Sequence, residues 1–528
     1  MNKQSEQQAT LHKQLWAMAN ELRGNMDASE FKNYILTIIF YRYLSENIEK
    51  IVGDFLKEDH LTYEQAWEIP EYRKALIDDL TNSSDIGYLI EPQYLYASLV
   101  KKIKTNSFDI SMLSKAINKL SESTLGQTSQ EDFENLFDDL DLNSNRLGRG
   151  ETERSLLMGK IILKVNEIDF MHDDSEIDVL GDAYEYLIGK FAANAGKKAG
   201  EYYTPQAVSE LLAKIVTLGK KEIKSVYDPT CGSGSLLLRI NKHAKVIKYY
   251  GQEKTPTTYN LARMNMMLHG VTFDRFHIYQ EDTLERPCPA HEDLKFEAVV
   301  ANPPYSAKWS ADAKFENDDR FSGYGKLAPR SKADYAFVQH MIHHLDDDGT
   351  MAVVLPHGVL FRGGAEAVIR RYLIENKNYL DTVIGLPANI FFGTSIPTTV
   401  LVFKKCRENK DILFIDASKG FKKEKNQNVL LPEHIDKIVD TYKERKTIDK
   451  YSFLARLKDI EENDYNLNIP RYVDTFEEEE PVDLDEVRKQ LKAVDQEIED
   501  ITKEINKYLD ELGEPRLWEG YLDGEIKI

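Results

Sequence analysis

The sequence predicts an α/β fold, with a doubly wound domain set between an N-terminal all-helical domain and a C-terminal helical tail of coiled-coil character. Three observations carry the prediction. From about residue 178 to residue 403, helical stretches alternate with short apolar runs, the texture of a mostly parallel sheet covered by helices on both faces. Before about residue 170 only the helical period is present. After residue 475 the chain turns acidic and its apolar residues fall into heptads.

The elements follow in order. In the first domain, residues 1–170, Leu15, Trp16, Met18, Ala19 and Leu22 share one helical face. Phe31, Ile35, Leu36, Ile38, Ile39, Tyr43 and Leu44 form a stronger stripe, with Asp27 or Ser29 as its cap. Ile110–Leu120 and Phe133–Leu140 are helix-like, and a further helix is expected over Thr152–Val165, after Gly148 and Gly150. In the second domain, residues 171–475, helices are expected over Asp178–Ala193, Gln206–Thr217, Thr257–Leu268, Asp334–Leu345 and Ala365–Glu375. The strands between them are Ser225–Tyr227, Val246–Tyr250, Ala298–Ala301, Met351–Leu355, Leu380–Leu386 and Thr398–Phe403. The tail, residues 476–528, begins with Glu477–Glu480 and Pro481. Leu484, Val487, Leu491, Val494, Ile498, Ile501, Ile505, Tyr508 and Leu512 then make a four-heptad seam. A seam this narrow needs a partner helix, from its own N-terminal domain or from another chain.

Composition narrows the function classes. With 42% hydrophobic and 30% charged residues the chain reads as globular. No apolar run reaches the roughly 18 residues of a membrane span; the longest, Tyr34–Leu44, is interrupted by Tyr41, Arg42 and Tyr43. The polar stretch Met1–His12 offers no apolar core of a signal peptide. Three cysteines, Cys231, Cys288 and Cys406, build neither a disulfide framework nor a zinc site, which fits a reducing cytoplasm. The net charge of −21 gives a poor overall field for nucleic acid. Either a local basic groove overrides that sum, or a partner supplies the grip.

Chemistry concentrates in two places. Asp228-Pro229-Thr230-Cys231-Gly232-Ser233-Gly234-Ser235 joins a strand to a helix, where glycines let backbone approach a ligand at the carboxyl end of a Rossmann-like sheet. Leu237 stands where a dinucleotide fingerprint has its third glycine, and no Lys-Ser or Lys-Thr follows, which disfavours nicotinamide cofactors and nucleoside triphosphates. Asp228 repels phosphate and suits a cationic sulfonium carrying a free amino group. Glu253, at the end of the next strand, suits ribose hydroxyls, and Asp282 suits an adenine amino group. The second place is Asn302-Pro303-Pro304-Tyr305, directly after a strand. The prolines end the strand without donating and leave their carbonyls free. Asn302 and the Pro303 carbonyl can take both hydrogens of an aromatic amine, localising its lone pair for attack on a methyl group. Tyr305 would stack on a base flipped out of its duplex. His291 lies nearby and is read as a surface residue, and Cys231 is given no chemistry.

The loop and the Asn-Pro-Pro-Tyr segment together resemble the amino-methyltransferase superfamily, which implies S-adenosylmethionine as cofactor and no metal. Glu201-Tyr202-Tyr203-Thr204-Pro205-Gln206 resembles the N-terminal cofactor motif of adenine methyltransferases. Cofactor contacts are thus implied for those six residues together with Asp228, Gly232, Ser233, Gly234, Ser235, Glu253 and Asp282. Ile390-Phe391-Phe392 and Ile396–Phe403 resemble the closing part of the same family, making Phe391 or Phe392 a second plate for the base. More narrowly, Leu15-Trp16, Leu22-Arg23-Gly24, Met26-Asp27, Asp178–Tyr186, Asn466–Tyr472 and the heptads resemble the modification subunit of type I restriction-modification systems. That resemblance implies a site-specific adenine-N6 methyltransferase acting on double-stranded DNA. It further implies a specificity subunit shared by two copies of this chain, and a restriction subunit. No domain-sized segment after Phe403 is left to read base edges, which points the same way. The alternatives are methylation of RNA adenine or protein glutamine, an idle scaffold of the same fold, and, more distantly, a nicotinamide oxidoreductase.

Overall fold

The apolar runs assemble into one sheet of nine strands: β1 (Glu222–Asp228), β2 (Lys245–Glu253), β3 (Phe276–Gln280), β4 (Phe296–Ala301), β5 (Leu345–Pro356), β6 (Leu380–Gly385), β7 (Thr398–Phe403), β8 (Ile412–Asp416) and β9 (Ser452–Ala455). Their order across the sheet is β9-β8-β6-β7-β5-β4-β1-β2-β3. The computed structural model describes residues 12–13, 15–20, 28–83, 86–168, 179–194, 204–391, 394–425, 427–475 and 484–516. Neighbours from β3 to β5 run parallel, while β7 is antiparallel to both β5 and β6. The side-chain period of two sorts the strands onto two cores. Val226, Ala298, Val300, Ala352 and Val354 face one; Tyr227, Val299, Ala301, Met351 and Val353 face the other. Strands β6 and β7 are buried along their whole length, which is why they read as unbroken apolar runs.

From β1 the chain winds outward through β2 to β3, then returns to place β4 on the other flank of β1. The crevice beyond the carboxyl ends of β1 and β4 is therefore the topological switch point, where open α/β sheets bind ligands. Helices α5 (Gln206–Val216), α6 (Ser235–Ile240), α7 (Pro256–Leu268) and α8 (Asp334–His344) cover the faces.

Ahead of the sheet, the longest described helices are α1 (Ala28–Phe55), α2 (Ile110–Ser123), α3 (Glu151–Asn166) and α4 (Val179–Asn194), with shorter ones between them. The stripe along α1 is buried at Phe31, Ile35, Ile38, Ile39 and Leu44. Arg42, which interrupts the run, is 8% exposed; its guanidinium donates to the carbonyls of Val165 (2.7 Å) and Ile168 (2.8 Å) at the end of α3 and to Glu46. A cation at these carbonyls adds to their pairing and complements the helix dipole. On α7, Arg263 is 1% exposed and donates to the carbonyls of Glu131 (2.8 Å), Asp132 (3.0 Å) and Glu134 (3.0 Å), tying the helical block to the sheet domain. No described helix is long and apolar enough to cross a membrane.

Three expectations are corrected. Within the helix-like run Phe133–Leu140, only Phe133 is helical, at the end of Gln130–Phe133; Asn135 turns to φ +56° and the remaining residues form turns. His291, read as a surface residue, is 4% exposed, packed edge-on against Tyr227 and Tyr250. Burial lowers its pKa to about 4, so it is neutral. Of the two caps expected for α1, Ser29 is already inside the helix, and Asp27 lies outside the described residues.

Residues 475–528 form a separate unit from residues 1–474. Its helix α9 (Leu484–Leu512) carries the heptad seam, with Leu491 61%, Val494 53%, Ile498 52% and Ile501 51% exposed.

Candidate active site

The sheet brings the two chemical segments together. Continuing the β1–β4 register, Tyr227↔Val299, sets Asp228 opposite Val300. Asn302 is then two residues further along the adjacent strand, roughly 8 Å away from strand spacing alone.

The glycine-rich turn is shaped by backbone that only glycine adopts easily: Gly232 has φ +54° and Gly234 φ +76°. A side chain on Gly234 would also come within 3.0 Å of Met266. Ser233 presents its carbonyl to the Asn265 side chain at 2.9 Å, and its hydroxyl lies 2.9 Å from that of Ser235. The Gly232 amide donates to Glu253 Oε2 at 3.1 Å, so the acid ending β2 folds over the turn as its 21-residue spacing suggests. Its other oxygen accepts from the Thr255 amide at 2.8 Å. Asp228, 2% exposed, accepts from the Thr230 amide at 2.9 Å.

Neither carboxylate meets a cation among the described residues. Burial, with the charge of Glu253 adding, pushes Asp228 up to about 7 despite the Thr230 donors; burial also raises Glu253. A buried acid pair without a counter-charge fits a ligand that brings positive charge and hydroxyls. The residues present therefore suit S-adenosylmethionine.

Asp282 is differently occupied. Its Oδ1 accepts from the amides of Leu284 (3.0 Å) and Glu285 (3.1 Å), and its Oδ2 from Lys254 at 2.8 Å. Burial alone would raise it, but these donors hold it below the usual carboxylate range. In this structure these contacts also brace the loop after β3. The neighbouring Thr283 hydroxyl reaches the Pro229 carbonyl and holds the two loops together.

Asn302 is fixed from both sides. Its Nδ2 donates to the Thr204 hydroxyl at 3.2 Å, which links the segment before α5 to the second motif. Its Oδ1 accepts from the Tyr305 hydroxyl at 2.8 Å. In this arrangement the amide oxygen is the acceptor turned to Tyr305. Burial, then the charge of Asp334, raises the Tyr305 pKa well above the ordinary phenol value, so the hydroxyl keeps its proton and donates. Pro303 is buried and Pro304 half-buried; among the described residues nothing donates to the Pro303 carbonyl. Phe391, arriving on the β6–β7 loop, meets Tyr305 edge to face at 5.8 Å and 81°. Pro205 caps α5 and Gln206 opens it, on the surface. Glu201, Tyr202, Tyr203 and Phe392 lie outside the described residues.

Sequence reasoning missed Asp334. It is 1% exposed at the start of α8; one oxygen accepts from the Ser306 amide at 2.8 Å, the other from Arg362 at 2.6 Å. Ser306 has φ +51°, so this carboxylate pins a left-handed residue next to Tyr305. An acid at a helix start facing a downstream arginine carries no local signal of that contact. Elsewhere, Asp182, Glu185 and His269 place ligand atoms within 4.8 Å of one another, but Lys242 and Arg239 pair with the two carboxylates.

Residues 175–481 match the family model described as N-6 DNA Methylase, and residues 11–165 match the one described as HsdM N-terminal domain. The chain is similar to the type I restriction enzyme MpnII methylase subunit of Mycoplasma pneumoniae, 39% identical, covering 97% of this chain and 99% of that one. It is 30% identical to the MjaVII methylase subunit of Methanocaldococcus jannaschii, over 90% of this chain and 80% of that one. Among solved structures, the type I restriction-modification system methyltransferase subunit from Streptococcus thermophilus superposes with a TM-score of 0.82 at 44% identity, covering 88% of this chain and 100% of that chain.

Proposed function

The chain belongs to the N-6 DNA methylase family, as a methylase subunit of the type I restriction-modification kind, and from that premise we propose that it methylates N6 of an adenine flipped out of double-stranded DNA, at sites chosen by a separate specificity subunit. The observation that carries this reading is the meeting of the glycine-rich turn and Asn302 at the carboxyl ends of β1 and β4. S-adenosylmethionine, when bound, supplies a methyl group made electrophilic by its sulfonium.

This chain's own residues do the positioning. Asp228 and Glu253 hold the positive and hydroxyl-bearing parts of the cofactor, with Thr204, Pro205, Gln206, Ser233 and Ser235 around them, and Glu201, Tyr202 and Tyr203 completing the contact. Asn302 Oδ1 and the Pro303 carbonyl accept the two N–H groups of the adenine amine. With both hydrogens held, the nitrogen lone pair is localised and aimed. Tyr305 supports the base through its ring, and Phe391 or Phe392 gives the second surface. The edge-to-face contact of Tyr305 with Phe391 opens to admit the base, and the Tyr305 hydroxyl cedes the Asn302 oxygen. His291 is neutral and packed away, so the departing proton goes to solvent.

The helical domain (1–170) braces the methyltransferase domain (171–475), and the tail (476–528) contacts other subunits. In this reading two copies of this chain share one specificity subunit and join a restriction subunit in the cytoplasm; the relatives' names, methylase subunits of type I restriction enzymes, support assembly with other subunits. The test is incubation of the assembled complex with methyl-labelled cofactor and DNA, RNA and protein, followed by mass spectrometry of nucleosides and peptides. Label in N6-methyldeoxyadenosine is expected. Label confined to RNA adenine or to glutamine overturns the substrate assignment, and no cofactor binding by calorimetry overturns the enzyme.

A further inference from the structure

In a chain with 89 acidic and 68 basic residues, two short segments close to Tyr305 carry basic residues and no acid. Residues 305–311 hold Lys308 as their one charge, and residues 326–333 hold Lys326, Arg330 and Lys332, with no acid in either. They lie side by side. The Trp309 amide donates to the Arg330 carbonyl at 3.1 Å, its indole to the Pro329 carbonyl at 3.2 Å, and the Ala333 amide to the Ala307 carbonyl at 2.8 Å. Lys308 and Arg330 are exposed and Lys332 half-buried, and none of the three makes an ion pair among the described residues.

The acids around the patch are engaged by other groups, although Glu366 also feels the charge of Lys332. Asp334 and Glu366 are paired with Arg362, and Glu285 accepts from the Ser310 amide and hydroxyl. Asp312 accepts from the Lys314 amide, and Asp318 pairs with Arg320. The patch begins three residues after Tyr305, so it stands at most about 10 Å of chain from the base-stacking ring. Asp334 anchors both its ends: it holds the Ser306 amide and itself follows Ala333.

Resting on the reading above, we infer that Lys308, Arg330 and Lys332 grip the DNA phosphates flanking the flipped adenine. A flipped nucleotide stays in its strand, so its backbone must pass the mouth of the pocket, where these cations stand. Such contacts position the strand without reading sequence. They also answer the charge problem locally, since the overall negative field leaves phosphate binding to a few residues.

The experiment compares the assembled complex with its triple variant Lys308→Gln, Arg330→Gln, Lys332→Gln for binding to duplex DNA across a salt series. The expected result is weaker binding to specific and unrelated duplexes alike, with the slope of log K against log salt shallower by about 0.9 for each phosphate that the variant no longer neutralises. Cofactor affinity by calorimetry is unchanged, which shows that the variant is folded. An unchanged slope, or a loss limited to one recognition sequence, overturns the assignment. If the unsubstituted complex methylates no duplex adenine, the functional reading fails, whatever the patch does.

Discussion

At the scale of single residues, the site stores an electrostatic cost that ligand binding relieves. The Asp228 pKa of about 7 means that the ligand-free protein holds this proton more tightly than an unfolded chain does. Ligand-free stability therefore declines as pH rises from the ordinary carboxylate range through about 7. Cofactor binding has the opposite sign, because the cation prefers the ionised form, so affinity should strengthen between pH 6 and 8 and then level off. Asp228→Asn is expected to abolish that pH dependence in calorimetry, to weaken cofactor binding, and to raise the melting temperature of the free protein at pH 8. Tyr305 poses a different test, since its ring and hydroxyl have separate jobs. Tyr305→Phe keeps the ring and frees Asn302 Oδ1, so transfer should stay within about threefold. Tyr305→Ala removes a stacking surface worth roughly 1–3 kcal/mol, and turnover should fall about tenfold or more.

At the scale of elements, Arg263 on α7 is the joint between the helical block and the sheet. A planar fork satisfies three carbonyls that an ammonium cannot reach together. Arg263→Lys should lower stability by roughly 3 kcal/mol, the order of a few charged hydrogen bonds, read as an earlier thermal transition. The same scale shows what was legible in the sequence. Strand β7 matched its apolar run end to end because both faces are buried, and helices α5, α7 and α8 came within a residue of their periodic stretches. Strands β3, β8 and β9 are not among the expected apolar runs. β9 is four residues long, half-exposed and antiparallel at the sheet edge, so its pattern is too short to stand out. Asp228, Glu253 and Asn302 were legible because each sits at a strand end, where backbone alone dictates placement. The Thr204–Asn302 contact, the clamp by Asp334 and the burial of His291 depend on side chains distant in sequence, and no local period encodes them.

At the scale of the whole molecule, charge and exposed apolar surface divide the work between this chain and others. Eight large apolar side chains of α9, from Val487 to Leu512, are exposed, and the proposed contact with other subunits rests on them. Removing residues 476–528 should leave the melting temperature and cofactor affinity of the remaining unit unchanged while abolishing co-purification with the specificity subunit. Loss of folding instead would make the tail part of the core. The central claim, that Asn302 holds the adenine amine beside the methyl donor, is tested most directly by single-turnover methyl transfer from preloaded complex carrying Asn302→Ala. The account expects transfer to duplex adenine to fall by at least about a hundredfold, the scale of one preorganised polar contact, with cofactor affinity within about threefold of the unsubstituted complex. Transfer at the original rate by that variant would contradict it.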